Sequence, residues 1–556
     1  MENEEICADE ISEIESTELH SDSETDSDTV TQFMQRHTTQ IIYDSESSDS
    51  DYQTDNQWTK YDPKRNVEMF TGISGVKLHP NNPQSISEIV ELVIEDDFIE
   101  MVAIETNRYY DQMHRRYKCG RKTKEWYDTT VPEMKKFFAL IILMGQVQKT
   151  TIHDYWSTRP SIETPFFSKI MTRHRFLQIL RFLHFSNNTE MASNPSRLCK
   201  IQPVINYLLN KFSTVYKPEQ ELSLDEVMIP YRGRLSFSVY NPSKITKYGI
   251  LVRMLSEAST GYLCNFQLYC GRGDPLEKTI SHLLNKSENL WHHVYMDNYY
   301  NSITLAESLL TKKIRICGTI RKNRGFPKDL NDLRLRIGEF DFRRKGEVLV
   351  LKWKDKQDVR MISTIHNADV VETGKINQKT GQQVRKPECI MKYNQHMKGV
   401  HQADQYLSYY SFLRKSIKWT KKVFMFLLHC TFFNSFILYR KLNPHTNITF
   451  SKFLQTLAEE WISSATEHHD TENLPSSSTA LGRAPHFDPP YRLSGDMKTH
   501  QLERIAQTGK LKYPQKRCRV CKTRGIRRDT SYICKLCKIP LCKNHCFSIY
   551  HTSQKY

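Results

Sequence analysis

Leu222-Ser-Leu-Asp-Glu226, Val294-Tyr-Met-Asp-Asn298 and Gly399-Val-His-Gln-Ala-Asp-Gln405 are the stretches that decide how this 556-residue chain folds. An apolar run enters Asp225, and residues 249–255 and 261–270 make a hairpin across Ser259-Thr-Gly261, giving three consecutive antiparallel strands. A helical stretch near 277–284 follows, then a strand over 293–297, a helix over 301–310 and a strand over 314–320. Three strands followed by alternating helices and strands is the order of an RNase H-like α/β domain. In that order one carboxylate lies on the first strand, a second just after the fourth, and a third on a later helix, which picks out Asp225, Asp297 and Asp404. An aspartate after a strand is, alone, an ordinary turn or cap residue. The ordered set of three points to a pair of Mg²⁺ ions cutting phosphodiesters, because that chemistry needs oxygen ligands brought together from distant elements. Residues 325–390, with strand-like runs at 347–353 and 359–365, read as a β-rich insertion domain ahead of the third-carboxylate helix.

Leu224-Asp-Glu226, Tyr231-Arg-Gly-Arg234, Tyr248-Gly-Ile-Leu-Val-Arg253, Met296-Asp-Asn-Tyr-Tyr-Asn-Ser302, Gly318-Thr-Ile-Arg-Lys-Asn-Arg-Gly325 and Tyr393-Asn-Gln-His-Met-Lys-Gly399 follow one another in the chain. From about residue 90 to the C-terminus this string resembles the piggyBac transposases, and most of all the mammalian piggyBac-like elements. The resemblance implies cut-and-paste DNA transposition: metal-dependent nicking at each transposon end, hairpin formation and opening, and strand transfer into TTAA sites. It also implies that Asp225 bridges two Mg²⁺ ions, that Asp297 holds one, and that the helix bearing residues 401 and 404 supplies the rest. Double-stranded DNA, as terminal inverted repeats and TTAA target, becomes the partner, a homodimer the assembly and the nucleus the compartment.

One position departs from the family pattern Gly-Val-Asp-x-x-Asp-Gln, since His401 stands where the first of its aspartates belongs. Histidine removes a negative charge and offers nitrogen, which Mg²⁺ accepts poorly. Two alternatives therefore stand beside an active transposase. One is a domesticated, transposon-derived DNA-binding protein with impaired catalysis; the other is a zinc-dependent chromatin-interaction protein whose nuclease-like core is only a scaffold.

Charge points to nucleic acid without any resemblance. Residues 1–57 hold 17 Asp or Glu against one Arg, so residues 58–556 carry 78 basic and 46 acidic groups, a net of +32. A surplus of that size implies an anionic partner, since phosphate contacts supply much of nucleic-acid affinity. The tail at 1–57 cannot bury enough apolar surface to offset chain entropy and reads as disordered. Its serines among acids, at 21–28 and 44–51, suit an acid-directed kinase. No uncharged apolar run reaches 18 residues and the first 30 residues are acidic, so no membrane segment or signal peptide is expected.

After an arm at 58–84, residues 85–219 carry apolar side chains at helical spacing, and 413–465 form a second helical block. By the resemblance, these blocks form one dimerisation and DNA-binding domain around the catalytic parts at 220–324 and 391–412. Arg414, Lys415, Lys418, Lys421 and Lys422 surround Trp419 and are candidate phosphate contacts, with a solvated helix face as the alternative. Arg321, Lys322 and Arg324 lie just past a strand, near the carboxylate end of the sheet, and are candidates to grip the cleaved strand.

Residues 466–509 read as a Pro- and Ser-bearing linker, and 510–556 as a cysteine-rich zinc module. Cys518, Cys521, Cys534, Cys537, Cys542, His545, Cys546 and His551 are eight candidate ligands, enough for two structural Zn²⁺ ions. Cys518 and Cys521 share one ion and Cys534 and Cys537 the other. The remaining partition is open, because His545 and Cys546 are adjacent. With 13 Lys or Arg against one acid between 510 and 556, Lys516, Arg517 and Arg519 are DNA-contact candidates.

Overall fold

The structure is a computed structural model that describes residues 40–41, 58–114, 125–190, 196–242, 244, 246–271, 275–376, 381, 383–412, 416, 418–467, 488, 490–493, 500–505, 514–543, 545–554 and 556. The chain divides into two compact units, 1–471 and 472–556. The acidic stretches of the tail, Arg414 and Lys415 lie outside the described residues.

In the first unit the main sheet is built on β1 (Glu221–Pro230), β2 (Tyr248–Glu257), β3 (Leu263–Leu268), β4 (His292–Met296), β5 (Ile314–Thr319), β6 (Phe340–Lys345), β7 (Val348–Lys354) and β8 (Asp358–Ser363). These strands lie in the order β3-β2-β1-β4-β5-β8-β7-β6. β1 is antiparallel to β2 and parallel to β4, which is parallel to β5. The first five strands are thus the RNase H-like arrangement. Gly261 makes the β2–β3 turn possible, adopting φ +81° where its backbone approaches Gly399.

β1 and β2 are buried almost throughout because helices cover both faces of the sheet. Side chains alternate between faces. Leu222 and Leu224 join Ile280, Leu283, Leu305 and Leu309 on one side, whereas Val227 and Ile229 join Val400, Phe424 and the helical blocks on the other. By that alternation Asp225 belongs to the face covered by Val400. The helix Trp419–Leu442, long and apolar enough by composition to cross a membrane, is buried from Lys421 to Tyr439 in this second layer. Its Asn434 accepts from Leu263 N at 2.8 Å and donates to Leu263 O at 3.0 Å, so a side-chain amide satisfies backbone groups of β3 and ties sheet to helix.

Within the span 325–390, read as an insertion, three strands join the main sheet. β8 pairs antiparallel with β5 through Met361–Thr319, Ile362–Gly318 and Ser363–Cys317, so β6, β7 and β8 continue the main sheet. A sheet edge at β5 would expose unpaired N–H and C=O groups, and the inserted strands satisfy them. The hairpin of Val370–Ile376 and Gln383–Pro387 then delivers the helix Glu388–His396. The arm at 58–84 straps this extension to the rest: Asp62 pairs with Arg344 at 2.6 Å, Glu68 with the buried Arg315, and Gly75–Val76 with Tyr216–Lys217.

In the second unit, Leu502–Arg504 pairs antiparallel with Tyr532–Cys534, and Lys516–Arg517 with Asp529–Thr530. Asp488 accepts from Arg519 Nε at 3.1 Å and from the Tyr550 hydroxyl at 3.0 Å. Arg492 donates to the carbonyls of Ser553 and Gln554 at 2.9 and 2.8 Å, closing the end of the helix His545–Thr552. Residues 488, 490–493 and 500–505, in a stretch expected to be linker, therefore pack within the cysteine-rich module.

Candidate catalytic and zinc-binding sites

Asp225 sits in mid-strand on β1, and Asp297 follows the last residue of the parallel neighbour β4, so both arrive at one end of the sheet. The loop after β4 is held by Asn301, fully buried, whose Nδ2 reaches the carbonyls of Met296, Asp297 and Thr319 at 3.0, 3.0 and 2.9 Å. Asp297 Oδ1 accepts from Tyr299 N at 2.9 Å, which fixes its carboxylate. The third element is the helix Lys398–Tyr409, carrying His401 and Asp404 one turn apart on one face.

Gly399 sets how close that helix comes. Val400 N donates to Ser223 Oγ at 3.2 Å, and a Cβ on residue 399 would lie 2.5 Å from that oxygen and 2.6 Å from the Glu257 carbonyl. Gly399→Ala gains about 1 kcal/mol of helix propensity, yet the overpacking should cost about 1–3 kcal/mol because backbone must move. A lower Tm is expected by thermal unfolding; an unchanged or higher one would show that the helix is not held at this distance.

The helix brings His401 Nε2 to 3.4 Å from Asp225 Oδ2, with the His401 side chain 60% exposed and that of Asp225 6%. Burial raises the Asp404 carboxyl above its ordinary range, against the pull of Lys244 and His401, and Asp225 adds to the rise. Burial likewise raises Asp297, with Asp225 as the next cause. The charge of Asp225 thus reaches both Asp297 and Asp404. Glu226, the next residue to Asp225, joins them: burial, then Asp225 and Asp297, raise its carboxyl, and the Tyr300 hydroxyl donates to it. Lys244 reaches in from a turn before β2, its Nζ 3.2 Å from Asp225 Oδ1 and 2.8 Å from the Glu226 backbone carbonyl. Sequence reading passed over both Glu226 and Lys244. Glu226 was visible beside Asp225; Lys244 had no signal beyond its charge.

Of the cations expected to grip DNA, Arg321, Lys322 and Arg324 follow β5 at the carboxylate end. Arg321 Nε donates to Asn298 Oδ1 at 3.3 Å and its guanidinium lies 5.7 Å from the Tyr299 ring centre. Lys418 stands before the helix Trp419–Leu442, with its ammonium 6.0 Å from the Tyr109 ring centre. Lys421 and Lys422 are buried, contrary to both the phosphate-contact and solvated-face expectations. Lys421 donates to Arg181 O at 2.8 Å, neutralising exposed carbonyls at the end of the helix Arg173–Phe182.

Burial pushes the Lys422 ammonium down to about 8, from 10.5. Below the lower value both folded and unfolded chains hold the proton, and the cost of burying the charge is present in full. As pH rises through it the folded chain deprotonates first and stability recovers, up to the unfolded value. Lys422→Met should therefore raise stability at neutral pH by on the order of 1–3 kcal/mol and abolish that alkaline rise in urea titrations, with DNA affinity unchanged. A fall in DNA affinity would restore Lys422 to the DNA surface.

In the second unit two clusters form, each with ligand atoms all within 4.8 Å: Cys518, Cys521, Cys542 and Cys546, and His500, Cys534, Cys537 and His551. Cys521 Sγ lies 3.6 Å from Cys546 Sγ and 3.9 Å from Cys542 Sγ. A tetrahedron with Zn–S bonds near 2.3 Å has edges of about 3.8 Å, so the spacing fits. In the other cluster Cys537 Sγ is 3.5 Å from both His500 Nδ1 and His551 Nε2, and His551 Nδ1 meets the Phe547 carbonyl at 2.8 Å, orienting the ring. His545 belongs to neither cluster. It is exposed at the first position of the helix His545–Thr552, where Cys546 turns inward and it turns out. His500 takes the eighth place; its signal was the shortage that arises once two adjacent residues cannot both ligate. Lys516 and Arg517 lie on a partly exposed edge strand, whereas Arg519 is engaged by Asp488.

A family model described as Transposase IS4 matches residues 87–436, and one described as DDE_Tnp_1-like zinc finger matches 497–552, a span that takes in His500. The chain is 25% identical to human PiggyBac transposable element-derived protein 3 over 486 residues, covering 84% of this chain and 76% of that protein. It is 24% identical to human PiggyBac transposable element-derived protein 2 over 410 residues, covering 69% of this chain and 66% of that protein. A piggyBac transposase, solved by cryo-EM as a synaptic complex with hairpin DNA, has the same fold, with TM-score 0.61, 24% identity, and coverage of 82% of this chain and 95% of that one. With the transposase model matching well over half its length, and a nuclease-type sheet and zinc-finger region in that order, the chain belongs to the piggyBac-type transposases.

Proposed function

We propose that the chain is a piggyBac-like DNA transposase that binds terminal inverted repeats as a homodimer in the nucleus and carries out cut-and-paste transposition at TTAA sites. The observation that supports this best is the gathering of Asp225, Asp297 and Asp404 from two strands and a helix at one end of the sheet. With the charge of Asp225 acting on both Asp297 and Asp404, the three form a set of hard oxygen donors that fits Mg²⁺. Asp225, Asp297 and Asp404 would hold the ions, which when bound supply an activated hydroxyl and charge stabilisation for an in-line displacement. Asn301 and Gly399 position those carboxylates, and Arg321, Lys322 and Arg324 lie where they can hold strand phosphates. In the second unit, two zinc ions would fix the basic module that contacts the repeats. Incubation of the full chain and Mg²⁺ with DNA carrying matched ends should give nicks and hairpins at both ends; intact DNA under saturating binding would defeat the proposal of cleavage.

A second reading, end binding without cutting, is favoured by His401. An imidazole occupies the place of a family carboxylate and faces Asp225 at 3.4 Å, so one negative charge is missing where ions would be held.

A further inference from the structure

Asp225 lies near Asp297 and Asp404 with Glu226 beside it on the strand, and like charges so placed must be neutralised by protons or by a cation. The structure supplies a cation from its own chain. Lys244 Nζ lies 3.2 Å from Asp225 Oδ1, 2.8 Å from the Glu226 carbonyl and 3.9 Å from Glu226 Oε2, and its charge also favours the ionised forms of Asp297 and Asp404. The other Asp225 oxygen faces His401. Lys244 is carried on a turn, its N donating to the Asn241 carbonyl at 3.4 Å, and its side chain is 24% exposed. A compact point charge on a flexible stem can leave such a place without disturbing the sheet.

We propose that Lys244 is a tethered counter-ion, a positioning residue that holds the carboxylate cluster together before divalent cations enter and competes with them for Asp225. This rests on reading Asp225, Asp297 and Asp404 as the cation-holding set. Entry of a divalent ion displaces the ammonium, which can then face a phosphate.

The test is Mn²⁺ binding to the zinc-loaded full chain, read as free Mn²⁺ by electron paramagnetic resonance and, in parallel, as Tm with and without Mn²⁺. Lys244→Met should lower the Mn²⁺ Kd roughly tenfold, the effect of removing one adjacent competing charge. It should also lower the metal-free Tm and enlarge the rise in Tm on adding Mn²⁺. Lys244→Gln, which keeps a donor for the Glu226 carbonyl, should tighten Mn²⁺ binding likewise, and Lys244→Arg should restore both the wild-type affinity and the metal-free Tm. Unchanged or weaker Mn²⁺ affinity in the Met and Gln variants overturns the proposal. Asp225→Asn separates the two levels: Mn²⁺ binding as tight as wild type in that variant would overturn the reading of the carboxylate cluster itself, whereas its loss leaves Lys244 to be judged on its own variants.

Discussion

Asp225→Asn should abolish DNA strand cleavage, by at least about a hundredfold in rate, while leaving end binding intact. The substitution is nearly isosteric and removes one charge from a side chain only 6% exposed, so β1 should survive it. On the proposed reading, end binding rests instead on basic residues other than this carboxylate and on the second unit. The companion change, His401→Asp, restores a carboxylate to the face that Asp404 shares and should raise cleavage above that of the chain as it stands. A donor plasmid with matched ends, cut by equal amounts of the three proteins, reads both effects. Equal cleavage by the unaltered chain and by His401→Asp would mean that Asp404 alone completes the site, and undiminished cleavage by Asp225→Asn would remove the catalytic assignment altogether.

Chelation of zinc should unfold the described part of the second unit cooperatively. The core there is little more than Val520, Ile539, Leu541 and Tyr550 around the cysteines, far too small to offset chain entropy alone, whereas structural zinc contributes about 10–16 kcal/mol per site in comparable peptides at neutral pH. The expected result is loss of a dispersed amide spectrum in excess chelator and its return with two equivalents of Zn²⁺. Cys537→Ser and His500→Ala should each cost one equivalent, and His545→Ala none. A fragment beginning at residue 510 lacks His500 and the strand Leu502–Arg504, and should hold only one ion firmly. A spectrum that stays dispersed without metal would refute the zinc-dependent fold.

Much of the first unit was legible because its signals are local. The strands before and after Asp225 and Asp297 are short apolar runs bounded by turns, and their order alone specifies the sheet. The placement of residues 340–363 was not legible, because strand partners are chosen by which edge lies open, and nothing near 358–363 names β5 as that edge. Lys421 and Lys422 misled for a related reason. Their charge suggests a surface, but they lie in a helix whose apolar residues bury its whole circumference, and the carbonyls at the end of another helix receive Lys421. His500 was hidden by its surroundings: a single histidine in a Pro- and Ser-bearing stretch carries no ligand pattern until the geometry of Cys534, Cys537 and His551 leaves a fourth corner empty of any other candidate.

The two ligand clusters alternate along the chain, His500, then Cys518 and Cys521, then Cys534 and Cys537, then Cys542 and Cys546, then His551. Each segment between consecutive ligand pairs is therefore pinned at its two ends by different ions. Such a weave, with Val520, Ile539, Leu541 and Tyr550 packed around it, leaves the side chains of Arg524, Arg527, Arg528, Lys535 and Lys538 exposed. If the module contacts transposon ends, as proposed, substitutions at these exposed cations can alter its DNA preference with little cost to its stability. On that reading, the side chains that would follow drifting transposon ends are those on which the fold of the module depends least.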